Sequence, residues 1–141
     1  MSRQIWHPSA PPNRLGKRGR CLLAFGLFDL GYAWVMFATT PAGQRNSSVF
    51  RWFSSLAPMS AWGVLWAAVG AICIYHAFHH YDRFGYIAAI GIKVLWGLLS
   101  GAGWVLEAVP PLYVVSWPMV AYVVWTISGW REPDHADREV S

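Results

Sequence analysis

Residues 84–110 read FGYIAAIGIKVLWGLLSGAGWVLEAVP. About twenty residues at 1.5 Å rise cross the ~30 Å hydrocarbon core of a bilayer, so an apolar run of this length predicts a transmembrane helix. It ends at Pro110-Pro111, which deny the helix backbone donors. Two charged residues interrupt it, Lys93 well inside and Glu107 near the far end. A lysine in hydrocarbon costs at least ~2.5 kcal/mol and points to a partner of opposite charge. The one acidic residue inside another apolar run is Asp29.

Composition places the rest of the chain in the same solvent. Of 141 residues 55% are hydrophobic, 16% aromatic and 13% charged, and mean hydropathy is +0.31. Soluble domains carry about 25% charged residues, so this chain lacks the polar side chains to coat a globule in water. The net charge of +4 is gathered at the N-terminus and outside the apolar runs. That distribution fits topogenic signals and contact with anionic lipid, and it does not form a nucleic-acid-binding stripe. Two cysteines, Cys21 and Cys73, make no disulfide framework and read as small core residues.

Four spans follow, at about 21–40, 56–76, 85–109 and 112–130, forming an all-α integral membrane bundle over 21–130. Residues 1–20 read as a basic, disordered tail ending in Arg14, Lys17, Arg18 and Arg20, and residues 131–141 as a polar tail. A cleaved secretory signal is the competing reading of the first span. It is disfavoured because an h-region is normally ~7–15 residues long and lacks a central carboxylate. In the first loop Val49, Trp52, Phe53 and Leu56 recur at helical spacing, which predicts a short interfacial helix with Arg45 and Arg51 toward water. Asn46-Ser47-Ser48 is a sequon that only a eukaryotic secretory host would use. Pro118 lies early in the fourth span and predicts a kinked entry.

Outside the spans, Arg and Lys number five in the N-tail, two in the first loop, one in the second, none in the third and two in the C-tail. With the N-terminus inside, eight lie inside and two outside, so the positive-inside rule predicts both termini cytoplasmic. Asp29 and Lys93 then each stand about eight residues, roughly 12 Å, below the same surface. Ala89, Lys93, Gly97 and Gly101 form one row at four-residue spacing, and Gly26, Asp29 and Ala33 a second. Small residues beside each charge predict close approach of the first and third spans and an Asp29–Lys93 ion pair. Such a pair serves either as a relay or gate for protons or ions, or as a static strut that sets register. Lys93 snorkelling to the interface is the other option, across a long reach. Gly63, Ala67 and Ala71 give the second span its own stripe for packing.

Other polar features carry less chemistry. Glu107 either meets Arg45 or Arg51 or sits among headgroups. His76, His79 and His80 are weak metal candidates, since a zinc site needs three or four convergent ligands; no metal and no cofactor is expected. Trp6, Trp52, Trp62, Trp104, Trp117 and Trp130 fall near predicted interfaces, whereas Trp34, Trp66, Trp96 and Trp125 lie deeper and are expected to pack helices. No Gly-rich phosphate loop, H-E-x-x-H, G-x-S-x-G or paired-carboxylate site occurs, and no enzyme activity is expected.

The basic start RLGKRGR (14–20), the Trp-rich spans, the run DRFGYIAAIGIKVLWGLLSGAGWVLE (82–107) and the short polar tail together resemble the small four-helix membrane proteins of actinobacterial phages, some of them treated as holins or holin-like. That resemblance implies homo-oligomers that permeabilise the bacterial inner membrane at a set time to release or activate a lysin. The tail departs from it: holin tails are usually strongly basic, whereas here Glu132, Asp134, Asp137 and Glu139 stand against Arg131 and Arg138. The layout is also similar to small multidrug-resistance transporters, which have an essential acid in the first of four spans. Asp29 would take that role, and Lys93 level with it would oppose a cationic substrate. A non-catalytic anchor or interaction protein is the third expectation. The partners expected are the bilayer, with anionic lipid at the basic N-tail, and further copies of the chain; in the anchor reading the tails recruit other proteins.

Overall fold

A computed structural model describes residues 16–79 and 82–129. The described residues form six helices: α1 (Lys17–Ala38), α2 (Pro41–Asn46), α3 (Ser48–Leu56), α4 (Met59–Ala77), α5 (Arg83–Val105) and α6 (Pro111–Ser128). Four of them, α1, α4, α5 and α6, are long and apolar enough to cross a membrane. Trp6, Trp130, His80 and both outer tail segments lie outside the described residues.

Local chemistry sets the helix ends. Thr40 Oγ1 accepts the Gly43 N–H at 3.2 Å, and Pro41 stands at the first turn of α2, where a missing donor costs nothing. Ser47 Oγ accepts the Phe50 N–H at 3.4 Å and starts α3. Pro58 precedes α4 and Pro111 opens α6. α5 stops four residues before the sequence-expected end at 109, because the Gly103 carbonyl accepts the N–H groups of Ala108 (2.8 Å) and Val109 (3.2 Å). Glu107 turns the chain there with a φ of 57°, a left-handed conformation that few non-glycine residues adopt. At the other end α1 begins at Lys17, so Lys17–Arg20, expected in the disordered tail, belong to its first turn.

α1 packs chiefly on α4, α4 on α5, and α5 on α6. The tightest seam is the α1–α4 crossing. A Cβ on Gly26 would stand 2.9 Å from the Gly70 carbonyl oxygen, and one on Gly70 would stand 2.9 Å from that of Gly26. Only glycine at both positions lets the backbones come this close. The stripe expected on α4 is accordingly rotated: Gly63 is buried under Phe37 and Gly70 faces Gly26, while Ala67 is half-buried and Ala71 exposed.

The rows expected to join α1 and α5 serve other neighbours. Gly97 takes the ring of Pro118 (Cβ position to Cδ, 3.0 Å) and Gly101 faces Val114, both on α6. Gly26 faces α4, while Ala33 and Ala89 are buried. α1 and α5 touch only slightly, because a lysine stem is long enough to bridge helices that do not abut. α3 is the short helix expected in this loop, with Arg51 exposed; its apolar face turns into the bundle, where Phe53 is fully buried and stacks on Trp96 at 3.8 Å and 4°. Trp52 N–H donates to the Leu99 carbonyl (3.0 Å) and Trp62 N–H to that of Phe53 (3.0 Å), so α3 plugs one end of the bundle.

The outside is apolar. Trp34 is 72% exposed and Trp125 62%, against the expectation that both pack helices, whereas Trp117, placed near an interface by sequence, is 7% exposed in the core. Span position alone does not say which face of a helix a tryptophan occupies.

Candidate functional site

Among the described residues, the interior holds one pair of charged side chains. Lys93 Nζ donates to Asp29 Oδ1 at 2.6 Å, and both side chains have zero exposure. α1 supplies Asp29 from the face that also carries Gly26 and Ala33; α5 supplies Lys93 from the face that carries Ala89 and Gly97. Aromatic rings line the ammonium: Trp66 at 5.3 Å, Phe28 at 5.9 Å and Phe25 at 6.0 Å from their centroids. These ring faces offset part of the desolvation of the cation. The carboxylate offsets more, because an unpaired buried charge is far costlier than a paired one.

An aromatic layer caps the pair. The ring of Tyr32 lies 4.5 Å from Trp66, 5.3 Å from Trp117 and 5.8 Å from Trp96. Tyr32 follows Asp29 by one helical turn and Trp96 follows Lys93 by one, so the layer is built from the same two helices plus α4 and α6. Beyond it on α5 stands Ser100, fully buried and seven residues from Lys93.

A second clasp ties the same helices at their starts. Arg18 Nη2 lies 2.9 Å from Asp82 Oδ1, with the two side chains 24% and 18% exposed. Its guanidinium sits 5.4 Å from the Tyr86 ring, and Tyr86 O–H donates to the Arg18 carbonyl at 2.9 Å. Sequence reasoning missed this clasp by assigning Arg18 to a tail and Asp82 to a turn. One signal was available, since eleven residues separate Arg18 from Asp29 and eleven separate Asp82 from Lys93.

The remaining candidates stay apart from the pair. Glu107 is exposed beyond the end of α5, in a shallow pocket of about 330 Å³ that it shares with Ser48, Trp104 and Pro111. His76 is half-buried, its ring 6.4 Å from that of exposed His79, and His79 Nδ1 lies 2.7 Å from the Tyr75 carbonyl oxygen. Among the described residues no three His, Cys, Asp or Glu side chains converge as a metal site would require. Cys21 and Cys73 are free thiols, and Cys73 Sγ donates to the Gly85 carbonyl at 3.5 Å.

An apolar exterior, a charged and aromatic interior, and four helices of membrane-crossing length and composition are the features of a multi-pass membrane bundle. Comparison with protein-family models, curated proteins and solved structures returns no match.

Proposed function

We propose that the chain is a multi-pass protein of a bacterial inner membrane, with both termini cytoplasmic, that self-associates and permeabilises the bilayer in the manner of a holin during phage lysis. Membrane residence is supported by the four long apolar helices, and orientation by the gathering of basic residues before α1. The observation that carries the reading is the closure of the ion pair. Asp29 and Lys93 neutralise each other within one protomer at zero exposure. A transporter of cations needs its intramembrane carboxylate open to the substrate, and this one is occupied by an ammonium. Permeabilisation by this protein therefore takes place between copies, which meet through apolar outer faces such as those of α5 and α6 that carry Leu98, Val115 and Tyr122.

Induced expression in a bacterium, followed by culture density and a membrane-potential dye, tests the reading. Abrupt depolarisation followed by lysis once a co-expressed lysin gains access is expected. Harmless accumulation in the membrane overturns it, and drug-resistance or ion-flux assays on the same strain address the transporter reading.

A further inference from the structure

The ion pair is not surrounded by hydrocarbon alone. Asp29 Oδ2, the indole Nε1 atoms of Trp66, Trp96 and Trp117, and Ser100 Oγ are buried without a hydrogen-bond partner. The carboxylate and the three indoles occupy one neighbourhood. The Trp66 ring is 5.3 Å from the Lys93 ammonium and 5.3 Å from the Trp117 ring. The Trp96 ring is 5.4 Å from that of Trp66 and 6.4 Å from that of Trp117, while Ser100 stands apart, beyond the aromatic layer on α5. Native interiors rarely leave such atoms unpaired, and a cluster of them marks a place where a small polar ligand sits.

The donor and acceptor balance identifies that ligand. Three indole N–H groups and the remaining N–H groups of Lys93 donate, and Asp29 Oδ2 accepts. A metal cation would face mostly donors. An anion would face the Asp29 carboxylate. Water accepts from the first set and donates to the second, and buried waters typically make about three such bonds.

We propose that internal water sits within the aromatic layer beside the Asp29–Lys93 pair, held by Asp29 Oδ2 and the Trp66, Trp96 and Trp117 indole N–H groups, so that the pair is solvated from within the bundle. This inference stands apart from the permeabilising role and survives its failure. The competing account is N–H···π contact, since Trp66 lies edge-on to Trp96 at 5.4 Å and 80°.

The full chain, labelled with ¹⁵N at its tryptophan indoles and placed in lipid nanodiscs, distinguishes the two by water-edited NMR. Magnetisation from water is expected to reach the Trp66, Trp96 and Trp117 N–H groups several-fold faster than those of Trp52 and Trp62, which donate to backbone carbonyls. Build-up no faster than at Trp52 and Trp62, with the upfield N–H shifts of ring-face contacts, overturns the site.

Discussion

Lys93 bonds Asp29 at 2.6 Å across a separation of 64 residues, the same separation at which Arg18 bonds Asp82 at 2.9 Å. The signs are reversed between the rungs: α1 presents plus then minus, and α5 presents minus then plus. Two rungs of one offset define both the direction and the register of α1 and α5, which run parallel although they barely touch. A slide that brought Arg18 level with Lys93 would set two cations together and leave Asp29 unpaired in the core.

Breaking the inner rung is expected to be severe. Asp29→Asn or Lys93→Met alone leaves one buried charge uncompensated and should cost ~3–5 kcal/mol. Asp29→Leu combined with Lys93→Met removes both charges and should recover most of that loss, since well-packed apolar replacements of buried pairs are often neutral or better. Unfolding of the detergent-solubilised chain in a denaturant titration measures both. A double variant no more stable than the worse single would contradict a strut.

The outer rung is partly solvated and should matter less. Arg18→Ala or Asp82→Ala is expected to cost ~1 kcal/mol or less, and the cost should shrink as salt rises. Thermal stability measured at low and high ionic strength checks this. Salt-independent losses as large as those at Asp29 would show that the clasp acts through something other than surface charge.

Glycine substitutions on α1 provide an internal contrast. Gly26→Ala places a Cβ 2.7 Å from Ile74 Cγ1 and 2.9 Å from the Gly70 carbonyl, whereas Gly31 has nothing within 4 Å of its Cβ position. The first should destabilise by ~1–3 kcal/mol through overpacking; the second should be neutral or stabilise by up to ~1 kcal/mol through helix propensity. Equal effects at both sites would rule out the glycine-mediated α1–α4 crossing.

Tryptophans divide by face. Trp66→Ala or Trp96→Ala empties a fully buried site and should cost ~3–5 kcal/mol. Trp34→Ala and Trp125→Ala, both on the outer surface, should leave the unfolding midpoint nearly unchanged. A large loss at Trp34 would place it in a contact that the single protomer does not contain.

Much of this molecule was legible in its sequence because hydrocarbon is a strict solvent. The apolar runs locate four helices, since no other single-chain element satisfies its backbone in a span of that length, and Asp29 and Lys93 are the charges that break them. Equal distance from the span starts even brings the two level. Which helices abut is a different matter, because a run apolar all round carries no moment to say which face turns inward. Only the tertiary structure decided that α1 leans on α4 through Gly26 and Gly70, that Gly97 serves Pro118, that Trp117 lies inside while Trp34 lies outside, and that Phe53 of a loop helix seals the core on Trp96. Those choices rest on shape complementarity between side chains distant in sequence, and a linear pattern of apolar residues does not encode it.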